Sequence, residues 1–235
     1  MTLARPFLTA RWRHLAMLNW PVAPEVVAPL VPRGTELDFF QGRTYVSVVG
    51  FMFLDTRVRG WAIPFHRNFE EVNLRFYVKR GDRRGVVFIK ELVPRAAIAW
   101  VARTIYGEPY EAVPMSHQDP PEVRYAWRYR GQEMSISLTP DGPFADLEAG
   151  SEAEFIAEHY WGYSASREYR VEHPRWRVAT AARAAFTGDP EPLYGKRFAD
   201  VLSGPPASAF LAEGSEVMVM EGEVLTIQSG SNANT

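Results

Sequence analysis

The feature that most constrains the fold is the alternation of apolar and polar residues in the segment FEEVNLRFYVKR, residues 69–80. One parity is apolar and consists of Val72, Leu74, Phe76 and Val78. The other parity carries Glu71, Asn73, Arg75 and Tyr77. Because successive side chains of a β-strand point to opposite faces, this pattern predicts a strand with one apolar face and one largely polar face.

Segments with strand character recur along the chain, and short turn sequences separate them. The opening residues 8–22 alternate as a strand, and hairpins are predicted at residues 35–54, 69–93, 122–140 and 208–222. Short helices are predicted at residues 24–32, 95–107, 151–163 and 191–204. Many antiparallel strands with a few inserted helices predict an α+β fold, mostly antiparallel β, built as a barrel or a sandwich.

Composition and charge exclude several classes of protein. The 235 residues carry a net charge of -2, so we expect no nucleic-acid partner, which would require a basic excess on one face. The absence of cysteine excludes disulfides, thiolate metal ligands and cysteine nucleophiles. No apolar run has the length of a signal peptide or of a membrane helix, so a cytoplasmic protein without a membrane partner is expected. Residues 1–226 are predicted to form a single domain and residues 227–235 a disordered tail.

The strong sequence motifs of enzymes are absent from this chain. It contains no Walker loop, no dinucleotide fingerprint, no HExxH and no GxSxG elbow. The histidines are scattered without an i,i+4 pair, at His14, His66, His117, His159 and His173. A metal site assembled from distant residues stays open, but neither a metal nor a cofactor is predicted.

The densest polar cluster lies at the start of the alternating strand, in PFHRNFEEVNLRF, residues 64–76. It contains His66, Arg67, Glu70, Glu71, Asn73 and Arg75. Two interpretations remain open. The cluster is a solvated strand face with surface ion pairs, or Glu71, Asn73 and Arg75 point into the mouth of a barrel. Convergent polar groups in an apolar pocket are typical of a ligand site.

Lys90 allows two interpretations as well. It shares strand parity with Val86 and Phe88 in VVFIKEL. If that face is internal, burial lowers the pKa of the amine and makes Lys90 a candidate nucleophile. The alternative is that Lys90 marks the end of a strand and extends to water.

Several segments together resemble the uncharacterised YqjF-like bacterial family. They are LTARWRHLAMLNWPV, APLVPRGTELD, SVVGFMFLDTRV, PFHRNFEEVNLRFYV, HYWGY and VEHPRWRV, which span nearly the whole chain. More distantly, VVAPLVPRGTELD, NFEEV and VARTIYGEPYE resemble segments of the acetoacetate decarboxylase-like superfamily. This resemblance implies a closed antiparallel β-barrel or cone with flanking short helices and an enclosed small-molecule cavity.

The same resemblance implies a set of site residues and one important departure. Glu71 matches a glutamate that lines the superfamily's active site, and Arg103 and Pro109 match a segment that ends in two lysines. In the decarboxylases the first of these lysines forms a Schiff base and the second lowers its pKa. Tyr110 and Glu111 occupy these positions here, and a phenol cannot form an imine. Schiff-base decarboxylation at this position is therefore excluded.

Three functions remain after this exclusion, of which a structural or interaction protein without a small ligand fits the aromatic content of 13% less well than the other two. The first is an enzyme that acts on a small organic acid or keto compound, with Glu71 as base and Tyr110 as acid or hydrogen-bond donor. Its substrate-binding candidates are Arg75, Arg103, Glu111, His66 and Lys90. The alternative is a non-catalytic protein that binds a small molecule in the same barrel. Whether the chain forms a homo-oligomer stays open.

Overall fold

A computed structural model describes residues 6–96 and 109–225 of the chain. Its strands are β1 (Pro6–Val22), β2 (Glu36–Leu37), β3 (Thr44–Val58), β4 (Trp61–Ala62), β5 (Phe69–Arg80), β6 (Arg83–Val93), β7 (Tyr110–Ala112), β8 (Met115–Gln118), β9 (Val123–Tyr129), β10 (Gln132–Pro140), β11 (Ala145–Asp146), β12 (Trp161–Tyr163), β13 (Arg167–Glu172), β14 (Arg177–Thr187), β15 (Ser208–Ala212), β16 (Glu216–Met220) and β17 (Glu223–Val224). The helices among the described residues are Pro24–Val27, Glu152–Ala157, Glu191–Tyr194 and Lys196–Leu202, with a 3-10 turn at Ala28–Leu30.

Seven of these strands close into a barrel. Around the ring, β1 pairs with β3, β3 with β5, and β5 with β6, all antiparallel. The ring continues through a parallel pairing of β6 with β12, then through β13 and β16 back to β1. Gly85 permits the parallel contact, because a Cβ atom there would lie 2.6 Å from the carbonyl oxygen of Trp161. The predicted fold class, mostly antiparallel β with a closed barrel, is therefore confirmed.

A second group of strands extends from the long strand β1. Strand β15 pairs with β1 beyond the barrel ring, β14 pairs with β15, and β10, β9 and β8 follow in order. The apolar face of β5 packs towards this second group, since Val72, Leu74 and Phe76 share a buried cluster with Tyr125 and Ile136. The other face of β5 faces the barrel interior.

Most of the predicted elements are confirmed. The strands of the hairpins at residues 69–93 and 122–140 pair as expected. The helix predicted at residues 151–163 begins as expected, with the Ser151 hydroxyl accepting a hydrogen bond from the Glu154 amide. It ends at Ala157, however, and Trp161–Tyr163 form strand β12 instead. The helix predicted at residues 95–107 lies largely outside the described residues, and the predicted tail at residues 227–235 lies entirely outside them.

Two predicted hairpins differ from the structure. Strand β2 pairs with β5, so residues 35–54 do not form a simple two-stranded hairpin. Strands β15 and β16 both pair antiparallel with β1, at successive parts of its length, and therefore run in the same direction. The turn-like sequence Glu213–Gly214 does not reverse the chain but separates β15 from β16, and the long strand β1 pairs with both.

Candidate functional site

The interior of the barrel contains a cavity of about 260 Å³. It is enclosed chiefly by inward-facing residues of β1, β3, β5 and β6, with β7, β13 and β16 completing it. Its lining is Phe7, Leu8, Trp12, Leu15, Val49, Phe51, Phe53, Thr56, Val58, Ile63, His66, Phe69, Glu71, Asn73, Arg75, Phe88, Glu91, Tyr110, Tyr169, Val171 and Val219. The cavity is thus mostly apolar, with a small polar group on one wall, as ligand sites usually are.

The polar group begins on β5, where alternation directs every second side chain inward. Glu71 and Asn73 are 3% and 2% exposed, and the Asn73 Nδ2 donates a hydrogen bond of 3.1 Å to the Glu71 Oε1. Arg75 follows on the same face and is half-buried. Of the two open interpretations of this strand, the structure therefore agrees with the one in which these residues enter the barrel.

Tyr110 enters the same cavity from a different element. Strand β7 pairs in parallel with the end of β6, which aligns Tyr110 with Glu91. The Tyr110 hydroxyl donates a hydrogen bond of 2.9 Å to the Glu71 Oε2. The two residues expected to carry chemistry are thus in direct contact, although 39 positions separate them in the chain.

Burial controls the electrostatics of this pair. It raises the pKa of Glu71 to about 7, although the hydrogen bonds from Asn73 and Tyr110 and the charge of Arg75 act to lower it. Burial also raises the pKa of Tyr110 well above its usual value, and the charges of Glu71 and Glu91 raise it further. The phenol therefore remains protonated at neutral pH, whereas Glu71 is divided between its acid and its carboxylate forms.

Lys90 and Glu111 are not among the described residues that line the cavity. The Lys90 Nζ lies 3.1 Å from the Glu111 Oε2, and both side chains are partly exposed. The cause is a β-bulge in β6: Leu74 pairs with Lys90, whereas Arg75 pairs with Phe88. The extra residue between them reverses the parity of the strand. Of the two interpretations of Lys90, the structure therefore agrees with the one in which Lys90 extends towards water, and not with an inner face shared with Val86 and Phe88.

The same bulge turns Glu91 inward, a residue that sequence reasoning missed. Glu91 is 2% exposed, lines the cavity, and lies opposite Asn73 on one side and Tyr110 on the other. The cavity therefore contains two carboxyl groups, those of Glu71 and Glu91, near the Tyr110 phenol. Strict alternation assigned Glu91 to the outer face, and nothing in the sequence of β6 marks the bulge.

The remaining predicted residues are placed as follows. His66 lines the cavity, and its Nδ1 lies 2.7 Å from the backbone oxygen of Pro64 in a largely exposed loop. Arg103 lies outside the described residues. No group of three or more metal-ligating side chains was found among residues 6–96 and 109–225.

Several polar atoms of the cavity lining are buried without a protein hydrogen-bond partner. They are the Trp12 Nε1, the Thr56 Oγ1, the Asn73 Oδ1 and the Arg75 Nε. A buried polar atom without a partner costs about 1–3 kcal/mol, so such atoms are rare in protein interiors. They are two N–H donors, a hydroxyl and an amide oxygen, and all four line one cavity.

The fold is that of a known class of β-barrel proteins, and several solved structures are similar to this chain. Acetoacetate decarboxylase from Legionella pneumophila has a TM-score of 0.72 at 12% identity, covering 95% of this chain and 88% of that chain. The enduracididine biosynthesis enzyme MppR, in its complex with pyruvate, has a TM-score of 0.69 at 14% identity, covering 96% and 92%. The acetoacetate decarboxylase-like fold expected from the sequence is thus confirmed.

The family is identified by the sequence itself. Residues 9–216 match the family DUF2071, described as "Uncharacterized conserved protein (COG2071)", and the chain belongs to this family. The uncharacterized protein YqjF of Bacillus subtilis (strain 168) is 33% identical over 100 residues, which are 42% of this chain and 41% of that protein. The match thus spans about two fifths of the curated relative.

A separate finding concerns membranes. Among the described residues, no helix has the length and apolar character needed to cross a lipid bilayer.

Proposed function

We propose that this protein is an enzyme that moves a proton on a small organic acid or keto compound without forming an imine. The observation that carries the proposal is the hydrogen bond from the Tyr110 hydroxyl to Glu71, at the base of an apolar cavity that also contains Arg75. Such a constellation joins a proton acceptor, a neutral hydrogen-bond donor and a fixed cation. These are the groups needed to remove a proton next to a carbonyl.

Glu71 is the proposed base. A general base works best when its pKa lies near the working pH, because it must both accept a proton and return it. Burial brings the pKa of Glu71 to about 7, which meets this requirement. The hydrogen bond from Asn73 orients the carboxylate, so one oxygen is held while the other is available to the substrate and Tyr110.

Tyr110 is the proposed donor to the carbonyl oxygen. In the proposed step, the C–H bond next to the carbonyl breaks and its proton passes to the Glu71 carboxylate. The electron pair of that bond forms the carbon–carbon double bond, and the carbonyl π pair moves to oxygen. Tyr110 transfers its hydrogen bond from Glu71 to this oxygen and stabilises the enolate, because burial keeps the phenol protonated.

Arg75 is the proposed anchor for an acid group. Its guanidinium stays charged under all ordinary conditions. Its Nε has no protein partner among the described residues, and its Nη2 makes only long contacts, to the Ile156 carbonyl oxygen at 3.5 Å and to the Met17 sulfur at 3.9 Å. The structurally similar enzyme MppR has been solved in complex with pyruvate, a keto acid, and this supports the same substrate class.

The alternative is a protein that binds a small molecule in this cavity without changing it. Its specific support is the set of buried lining atoms without a protein partner, which a bound molecule would satisfy whether or not it reacts. Binding without proton transfer is the result that would favour this alternative.

Exchange of the methyl protons of pyruvate for deuterium, followed by proton NMR in D2O, tests the proposal. We expect the protein to accelerate the exchange, the Glu71→Gln variant to abolish the acceleration, and the Glu111→Gln variant to retain it. Chemical-shift changes on adding pyruvate without any exchange would favour the binding protein. Neither exchange nor binding at any tested concentration would refute both functions for pyruvate as the ligand.

A further inference from the structure

We infer that the ligand of this cavity is an aryl-substituted 2-oxo acid, with its ring on the aromatic side of the cavity and its carboxylate at Arg75. This inference rests on the proposed function and specifies its substrate class. It follows from the order of chemical groups along the cavity wall, from the composition of the aromatic side and from the size of the space.

The order of groups is set by β5. Phe69, Glu71, Asn73 and Arg75 point inward in succession. Side chains on one face of a strand are about 6.6 Å apart along it. The apolar Phe69, the acidic Glu71 and the cationic Arg75 therefore follow one another along the cavity wall. Glu71 and Arg75 line the same cavity on one face of β5, so a molecule in that cavity has both groups on one wall. A 2-oxo acid substituted at C3 carries its own groups in the matching order of carboxylate, carbonyl and apolar substituent.

One side of the cavity is formed by an aromatic wall, consisting of Trp12, Phe51, Phe53 and Phe69. The pairing of β3 with β5 brings Phe51 opposite Glu71 and Phe53 opposite Phe69, so the wall begins directly beside the acid–base pair. Phe53 stacks on Phe69 at 4.7 Å between ring centroids. Trp12 meets Phe51 and Phe53 edge-on, at 5.0 and 5.6 Å.

A planar ring fits this wall better than an alkyl chain does. Edge-to-face and stacked ring pairs are favoured over other contacts of equal area, and the wall presents both ring faces and ring edges. The buried Trp12 Nε1, which has no protein partner, adds a donor beside these rings. A hydroxylated or unsubstituted aryl group is therefore the chemistry that the wall recognises.

The cavity has more space than the smallest acids fill. Its volume of about 260 Å³ is many times the roughly 10–15 Å³ that holds one water molecule. A three-carbon acid occupies only the part beside Glu71 and Arg75 and leaves the aromatic wall without contact. Because even one methylene in an apolar pocket changes affinity by about 10-fold or more, an aryl ring should increase it by at least that factor.

Isothermal titration with three compounds tests the inference: pyruvate, phenylpyruvate and 4-phenylbutan-2-one, which has the ring and the carbonyl but no carboxylate. We expect phenylpyruvate to bind at least about 10-fold more tightly than either of the others. The Phe53→Leu variant should reduce the ratio of the two acids' affinities by about fivefold or more. The Arg75→Gln variant should remove the advantage of phenylpyruvate over the ketone.

The Phe186→Leu variant is the matched control, because Phe186 contacts Trp127 in the second group of strands and does not line the cavity. It should leave the affinity ratio unchanged. Equal affinities for pyruvate and phenylpyruvate, with Glu71-dependent exchange of pyruvate intact, would overturn the substrate class and leave the proposed function standing. If none of the three compounds binds and no exchange occurs, the proposed function fails as well.

Discussion

Two pairs of side chains that each contain a carboxyl group, Tyr110–Glu71 and Glu111–Lys90, differ in burial and in surroundings. Glu71 receives its hydrogen bond from Tyr110 inside the barrel, and Glu111 forms an ion pair with Lys90 outside the cavity. Tyr110 and Glu111 are neighbours on β7, so the alternation of that short strand sends one into the cavity and the other away from it.

The difference shows how much the surroundings of a carboxyl group determine. Glu71 is buried among apolar residues, and desolvation raises its pKa to about 7. The Lys90–Glu111 pair keeps about a quarter to a third of each side chain exposed, where ion pairs contribute little to stability. Glu71 is a buried carboxyl group that accepts hydrogen bonds from Tyr110 and Asn73, whereas Glu111 makes a partly exposed contact with Lys90.

The largest expected effect is a difference in exchange rate between the Glu71→Gln and Glu111→Gln variants. Glu71→Gln should lower the rate of keto-acid proton exchange by about 10²- to 10⁴-fold, because a positioned general base contributes that much. Glu111→Gln should change the rate by less than about threefold, since its ion pair lies outside the cavity. Proton NMR in D2O measures both rates under the same conditions, and equal losses in the two variants would contradict the assignment of Glu71 as base.

The second effect concerns stability as a function of pH. Burial raises the folded-state pKa of Glu71 from 4.5 to about 7. The folded protein therefore binds this proton more tightly than the unfolded chain does. The stabilisation is complete below pH 4.5 and is lost as the pH rises through 7. Urea unfolding should show that wild type loses on the order of 3 kcal/mol more than Glu71→Gln does between pH 4.5 and pH 8.

A pH-independent difference between wild type and Glu71→Gln would show that the folded environment does not perturb Glu71. Glu111→Gln controls for the removal of a negative charge at a partly exposed position. Both variants should keep the far-ultraviolet circular dichroism of the wild type, because glutamine has nearly the volume of glutamate.

A smaller effect is expected when the phenol is removed. Tyr110→Phe abolishes the hydrogen bond that lowers the pKa of Glu71, so this pKa should rise above 7 by about one unit. The rate of exchange should then reach its plateau at a correspondingly higher pH. The pH–rate profiles of both proteins measure the shift, and a shift towards lower pH would show that Tyr110 does not stabilise the Glu71 carboxylate.

The smallest effect is expected outside the cavity. Lys90→Gln should change the free energy of unfolding by less than about 1 kcal/mol and leave the exchange rate within about twofold of wild type. Borohydride added to the wild-type protein with pyruvate should trap no adduct, because no lysine is among the described residues that line the cavity and Lys90 is paired with Glu111 outside it. Mass spectrometry would detect an adduct on Lys90, which would contradict the exclusion of imine chemistry.

Much of the fold and part of the candidate site could be predicted from the sequence. The alternation of β5 correctly separated Val72 and Leu74 from Glu71 and Asn73, because the pleat of a strand depends on local geometry alone. Closure of the barrel and the contact of Tyr110 with Glu71 were not accessible in this way. The resemblance to known barrels, and not the pattern of the residues, placed Tyr110 near the cavity.

Lys90 and Glu91 mark the limit most clearly. By strict alternation Lys90 would face inward and Glu91 outward, but the structure has Glu91 in the cavity and Lys90 paired with Glu111 outside it. The reversal comes from the bulge between Phe88 and Lys90, which is defined by how β6 pairs with β5.

The sequence by itself thus determined which segments are strands, which face of each regular strand is apolar, and that no lysine follows Pro109. Those properties depend on residue type and on a period of two positions. Only the tertiary structure decided which carboxylates share the cavity, since that depends on the register between strands far apart in the chain. A single extra residue in one register exchanged the surroundings of Lys90 and Glu91.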